Sequence, residues 1–238
     1  MINEFVSIII PVYNDVQALK NAVPEVVKYL QSHVPNYELI IAEDASTDGS
    51  YEYAKECSLS NERIIHLHRE KRMGRGSALN QAAYFSKGNI FCYFDVDLAT
   101  DINYLEALLK AIVNGSDIAT GSRLLDQSKI TRSFNREIKS QGYNFFVRFI
   151  LGSHIHDHQC GFKSFRRDTL LSIIETIEDK HWFWDTEILI RAQRKNLKIS
   201  EIPVQWKEGS GTTVRTSDIF KMGYAILKLW WQLHFSPN

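Results

Sequence analysis

Two carboxylates, Asp95 and Asp97, stand one residue apart at the end of the apolar run Ile90-Phe91-Cys92-Tyr93-Phe94. The run is apolar throughout instead of alternating, which predicts a strand buried on both faces of a parallel sheet. An isolated charge in such a place is costly, so Asp95 and Asp97 demand a cationic partner. A divalent metal carrying phosphates meets that demand: Mg2+ and Mn2+ take hard oxygen ligands and leave positions for substrate phosphates. The competing reading is a helix cap, one Asp accepting backbone N–H groups of a helix that starts near Asn103.

Two further clusters carry chemistry. Glu43-Asp44-Ala45-Ser46-Thr47-Asp48-Gly49-Ser50 sets acids and hydroxyls in a turn between a strand and a helix. Carboxylates at a strand's carboxyl end can hold a base N–H and ribose hydroxyls, or Ser46 or Asp48 can cap the helix that begins near Ser50. Arg72-Met73-Gly74-Arg75-Gly76-Ser77 puts basic groups and glycines ahead of a helix, where close backbone approach and the helix dipole favour anions. No Lys-Ser/Thr follows Gly76, so this is not a Walker sequence.

The elements that position these clusters alternate strand and helix. Strands are expected at Val6–Pro11, Tyr37–Ala42, Arg63–Leu67, up to Asp95, and Asp117–Thr120. Helices are expected after Asp15 with a kink at Pro24, over Ser50–Cys57, Ser77–Phe85 and Ile102–Val113. Repeated βα units imply a doubly wound α/β sheet with its ligand at the carboxyl ends of the strands. Tyr13-Asn14-Asp15, Glu43-Asp44 and Asp95/Asp97 all fall there, and three acidic clusters on one rim favour a cation-dependent site over separate caps. Beyond Gly121 a long aromatic-rich helix is expected at Phe134–Leu151, a strand at Gly161–Phe165, a helix at Asp185–Lys195 and a strand at Leu197–Trp206.

Lys+Arg and Asp+Glu balance at 28 each, so no global field points to nucleic acid. The three cysteines, Cys57, Cys92 and Cys160, are widely spaced and form no CxxC pair, which argues against a disulfide framework or zinc knuckle and for a reducing compartment. Of the eight histidines, His154, His156 and His158 alternate, a spacing that suggests a metal, though a solvated loop is the favoured reading. No leader-like segment is expected at the N-terminus, and no apolar run reaches the roughly 18–20 residues a spanning helix needs.

The ordered motifs Ser7-Ile8-Ile9-Ile10-Pro11-Val12-Tyr13-Asn14, Glu43–Ser50, Gly74-Arg75-Gly76 and Asp95-Val96-Asp97 resemble those of family 2 glycosyltransferases, which have the GT-A fold. Gly121-Ser122-Arg123, Asp157–Lys163, Phe183–Glu187 and Pro203–Trp206 resemble the dolichyl- and polyprenyl-phosphate sugar synthases, the glucosyl branch especially. The likeness covers about residues 6–215. It implies that Pro11, Tyr13 and Asp15 flank the nucleotide base, that Glu43 and Asp44 lie at base or ribose, that Arg75 approaches the base or diphosphate, and that Asp95 and Asp97 serve ribose and metal. Gln159 would touch the sugar. Glu43 replaces the usual Asp, and Ala99 replaces the Gln that mannosyl relatives offer, leaving the third ligand of the Mg2+ or Mn2+ open.

The implied reaction moves a sugar, UDP-glucose being the favoured donor over GDP-sugars, to a polyprenyl or dolichyl phosphate with inversion. Asp97 would hold the metal, and Arg123 and Arg136 would grip the acceptor phosphate. Arg136 has a rival reading as a surface pair with Glu137. A glycan hydroxyl acceptor would instead require a base, with Asp185 best placed, although Asp185 also suits the N-cap of its helix. A non-catalytic nucleotide-sugar-binding protein is the alternative of another class. Residues 1–215 form the transferase domain in this reading. Residues 216–238 form an amphipathic helix whose Trp and Lys content over 217–235 suits a membrane interface, docking on the domain or a dimer contact. A cytoplasmic protein, peripheral at the membrane face, is expected.

Overall fold

The computed structural model describes residues 2–131, 134–207 and 216–235, with side chains omitted for 134–136 and 216–220. In chain order the elements are β1 (Val6–Val12), α1 (Val16–His33), β2 (Tyr37–Asp44), α2 (Ser50–Ser60), β3 (Ile64–Arg69), α3 (Arg75–Phe85) and β4 (Ile90–Phe94). A 3-10 turn at Ile102–Tyr104 leads into α4 (Leu105–Val113), followed by β5 (Ile118–Ser122), β6 (Lys129–Thr131), α5 (Phe134–Leu151) and β7 (Phe162–Arg166). The chain then forms α6 (Arg167–Ile174), α7 (Trp184–Arg194), β8 (Ile199–Pro203), β9 (Gln205–Lys207) and α8 (Thr216–Phe235).

Seven strands build one sheet in the order β3-β2-β1-β4-β7-β5-β8. The described pairings are parallel except where β7 lies antiparallel between β4 and β5. The expected α/β sheet is therefore present. Its strands are apolar on both faces because helices cover both. Ile8 and Ile10 of β1 pack into one core layer with Leu19, Leu39 and Leu109, while Ile9 packs into the other with Ile40, Leu79, Tyr93 and Trp184. Each such buried aliphatic contributes about 1.5–3 kcal/mol relative to exposure. The strand order turns back between β1 and β4, so the crevice opens at their carboxyl ends, where the polar motifs lie.

Several boundaries differ from the sequence reading, each for a local reason. β1 continues through Pro11 to Val12, because beyond Ile9 it pairs only with β2 and a residue without N–H is tolerated there. α1 continues past Pro24. The expected strand Leu197–Trp206 divides at Val204: β8 pairs with β5, and β9 leaves the main sheet to pair with β6. α6, which the sequence reading omits, buries Leu170, Ile173 and Ile174 on one stripe. Cys57, Cys92 and Cys160 are free thiols.

α8 packs against α5 and α7, with Met222, Ile226 and Leu229 meeting Val147, Leu151, Phe183 and Ile190. Its spacing of four and three residues gives one inward stripe. Lys228 pairs with Glu178 at 2.8 Å. No helix among the described residues is long and apolar enough to cross a membrane.

Candidate active site

Backbone strain marks the rim. Asn14, Ala45 and Leu98, following β1, β2 and β4, have φ of 50°, 62° and 47°. Asn tolerates the left-handed region, but Ala and Leu do not occupy it without cost. Strain of this kind persists where surrounding contacts hold it, and here it falls on the three loops that carry the acidic clusters.

Asp95 and Asp97 sit at the centre of that rim. The Asp95 N–H donates to Gly161 O at 3.1 Å, so β7's approach fixes the loop. A Cβ on Gly161 would fall 1.9 Å from Asp95 Oδ2, which explains why only glycine fits. Arg75 donates from Nε (3.0 Å) and Nη2 (2.7 Å) to Asp95 Oδ1, leaving Oδ2 without a protein donor among the described residues. Asp97 accepts the Ala99 N–H at 3.0 Å through Oδ1, and no described cation pairs with it. Although Asp97 is exposed, partial desolvation by the surrounding loop, then the neighbouring Asp95 charge, push its carboxyl above the ordinary pKa. Asp97 and the free oxygen of Asp95 form an oxygen-rich donor set lacking a countercharge, which fits a hard divalent cation. The helix-cap reading belongs to a different residue: Asp101, not Asp95 or Asp97, accepts the Asn103 N–H.

Arg75 ties this pair to a buried ionic chain. Its Nη1 lies 2.5 Å from Asp185 Oδ2. Asp185 Oδ1 accepts from Lys163 Nζ at 3.1 Å and from the Tyr93 hydroxyl. Burial alone would raise the Asp185 pKa, but Arg75 and Lys163 outweigh it and hold the carboxyl below its usual range. Asp185 is thus an ionised counter-ion inside α7, not the N-cap. Asp179 accepts the Trp184 N–H at 3.1 Å in that role. The rings of Tyr93 and Trp182 lie 5.2 and 5.6 Å from the Arg75 guanidinium.

Several residues expected at the ligand hold the loops that frame it. Asp44 accepts the Met73 and Gly74 N–H groups at 2.9 and 2.7 Å, securing the turn before α3. Glu43 is fully buried, accepts the Ser46 N–H, and meets His68 Nδ1 at 2.5 Å, so its extra methylene reaches toward β3. Asp15 caps α1 through the Ala18 N–H. Asp48 Oδ1 accepts from Ser50, and its Oδ2 accepts the Val16 N–H at 2.8 Å, joining the first two loops. Pro11 is buried within β1. Tyr13 remains 38% exposed, with the Arg72 guanidinium 3.8 Å from its ring centroid, a stacked pair open to the cleft.

Arg123 is likewise committed. It makes a forked pair with Asp157, Nε to Oδ2 at 2.7 Å and Nη2 to Oδ1 at 2.8 Å, and its backbone N–H adds a third bond. Burial opposes the Asp157 charge, but Arg123 overcomes it and drives the carboxyl far below its ordinary pKa. Gln159 Nε2 lies 3.2 Å from Met222 Sδ, beneath α8. The Arg136 side chain lies outside the described residues. His158 does not lie in a solvated loop: it is buried between Asn144 and Ser153, and burial lowers its pKa to about 3. Lys163, fully buried, and Tyr93 are site residues that the sequence reading missed. Only their place on adjacent strands β4 and β7 brings them together, in direct register.

Comparisons with known proteins agree with this geometry. Residues 7–173 match the family model Glycosyl transferase family 2. The chain is 42% identical over 237 residues to the glycosyltransferase AglD of Haloferax volcanii, covering 98% of this chain and 38% of that protein. It is 30% identical over 240 residues to the dolichyl-phosphate beta-glucosyltransferase of Saccharomyces cerevisiae, covering 92% of this chain and 72% of that one. Among solved structures, glucosyl-3-phosphoglycerate synthase from Mycobacterium tuberculosis, in complex with Mn2+, UDP and phosphoglyceric acid, superposes with a TM-score of 0.69 at 14% identity. That match covers 99% of this chain and 80% of the other. With its doubly wound sheet, acidic rim and matched motifs, this chain belongs to glycosyl transferase family 2 and has the GT-A fold.

Proposed function

We propose that the chain is a metal-dependent, inverting hexosyltransferase that moves glucose from UDP-glucose to a polyprenyl or dolichyl phosphate. The observation that carries the choice of acceptor is the state of Asp185. A glycan hydroxyl needs a base to take its proton, and Asp185, the carboxylate that the family resemblance favours for it, is held in ion pairs with Arg75 and Lys163. A phosphate acceptor is already anionic and needs positioning rather than deprotonation. Relatives named as dolichyl-phosphate glucosyltransferases, and the UDP-glucose bound by a structural neighbour, support the same reading.

In this reading an acceptor phosphate oxygen forms a bond to the anomeric carbon as the bond to the leaving diphosphate breaks, and UDP departs with the electron pair. Asp97 and Asp95 Oδ2 would hold Mg2+ or Mn2+, which supplies charge neutralisation at the leaving diphosphate. Arg75, clamped by Asp185, holds Asp95 through Oδ1 and leaves Oδ2, beside Gly161, for the metal. Tyr13 and Arg72 offer a stacking face for the base. Arg123, held by Asp157, would line the acceptor side.

A lipid-linked acceptor also accounts for the outer faces of α5 and α8. Phe145, Phe146 and Phe149 of α5 and Tyr224, Leu227, Trp231 and Phe235 of α8 are exposed. Aromatic side chains beside Lys228 form a composition suited to a membrane interface. A panel of UDP- and GDP-sugars, scored by nucleotide release with and without polyprenyl phosphate, tests the function. UDP-glucose should give acceptor-dependent release that Asp97→Ala abolishes, and release indifferent to the lipid phosphate would refute it.

A further inference from the structure

A second cluster of ligand-type side chains lies behind the donor loop. β2 and β3 pair in parallel with Glu43 opposite His68 and Ile41 opposite His66. His66 and His68, two apart on a strand, therefore share one face with Glu43. One ligand atom from each of the three lies within 4.8 Å of the others. His68 Nδ1 is 2.5 Å and His66 Nε2 3.9 Å from Glu43 Oε2. The His66 side chain is 8% exposed, and its Nε2 has no hydrogen-bond partner among the described residues although it lies 3.9 Å from that carboxylate. A buried ring nitrogen without a partner calls for explanation, an unseen ion among the possibilities.

We propose that Glu43, His66 and His68 form a second metal site, distinct from the Asp95 and Asp97 rim, that takes a divalent ion of the Zn2+ class and anchors the donor loop. Two imidazole nitrogens and one carboxylate oxygen are a donor set that Zn2+ favours over Mg2+. Tetrahedral ligation sets donor atoms about 3.3 Å apart for Zn–N bonds of about 2.0–2.1 Å. The observed 2.5 and 3.9 Å spacings straddle that value, so ligation would part the Glu43–His68 hydrogen bond and draw His66 in. The His68 side chain, 37% exposed, leaves a route from solvent. The Tyr51 ring edges against both imidazoles, and Lys55, above that ring, is the cation that opposes the ion.

The anchoring follows from the other carboxylate oxygen. Glu43 Oε1 accepts the Ser46 N–H, Ser46 Oγ accepts the Asn14 N–H at 3.0 Å, and Asn14 Oδ1 accepts the Thr47 N–H at 2.8 Å. An ion on Oε2 would fix the carboxylate and so both strained turns, as outer contacts do around other metal sites.

The test uses the full chain, stripped with chelator and titrated with Zn2+ alone by calorimetry. One saturable Zn2+ per chain is expected, kept by Asp97→Asn and weakened at least about tenfold by His66→Ala or His68→Ala. No saturable binding, or binding that His66→Ala leaves unchanged, overturns the proposal. If the variants fail to fold, X-ray absorption on the unmutated chain with one equivalent of Zn2+ decides. A shell with two imidazole nitrogens supports the site, and a shell with none overturns it.

Discussion

Replacing Asp185 by Asn separates a counter-ion from a base. The carboxylate contacts Arg75 at 2.5 Å and Lys163 at 3.1 Å, and its side chain is 5% exposed. Removing one partner of a buried ion pair costs about 3–5 kcal/mol. Asn retains an acceptor for Tyr93 and Lys163, and Arg75 keeps Asp95, which places the loss at the lower end, about 3 kcal/mol. For a chain of 238 residues that is a fall in Tm of about 6–12 °C, at about 2–4 °C per kcal/mol. The pH dependence has a defined sign. Because the folded-state pKa is depressed, the Asp185 charge stabilises the fold above its unfolded value, about 3.9, and that contribution is lost as pH falls toward the folded pKa. The gap between unmutated chain and variant should therefore be full at neutral pH and close on acidification. Thermal melts at pH 7 and at about pH 2.5, below the unfolded-state value, paired with initial rates at neutral pH well below Tm, read both effects. The account predicts a lowered Tm with folded-state kcat reduced less than about tenfold. An unchanged Tm with kcat reduced about a hundredfold or more, the size of a lost general base, would refute it.

Two other predictions follow the same logic. Asp157→Asn strands the buried Arg123 guanidinium and should cost about 3–5 kcal/mol in urea unfolding at neutral pH; a change under about 1 kcal/mol would mean Arg123 does not depend on it. The double change Phe149→Ser with Trp231→Ser should lower co-sedimentation with anionic liposomes while leaving the melting curve near that of the unmutated chain, since both side chains are exposed, 79% and 57%; equal sedimentation would remove α5 and α8 from the membrane reading.

Much of the fold was legible because the centres of its strands are apolar on both faces, a pattern that Ile8–Val12, Leu39–Ala42 and Ile90–Phe94 show. The rim was legible for the same reason: acids directly after such strands have few places to go. What pattern reading does not resolve is what each acid meets. Asp44 and Asp97 look alike in sequence, yet Asp44 is saturated by N–H groups of a loop about thirty residues on, while Asp97 keeps an oxygen free. Arg123 reads as a phosphate grip until β5 and the loop before β7 bring Asp157 to it. The His66-x-His68 spacing was visible and has strand period, but its meaning needed the β2–β3 register that sets Glu43 opposite. α6 was missed although Leu170, Ile173 and Ile174 follow helical spacing, because its short stripe sits between two stronger signals.

The central claim is that the acceptor is a lipid phosphate which needs no base. Turnover of UDP-glucose by the purified chain with Mn2+, compared between polyprenyl phosphate and the matching polyprenol, tests it most directly. The account predicts glucosylated product from the phosphate and none above background from the alcohol. Equal transfer to the free hydroxyl would contradict it.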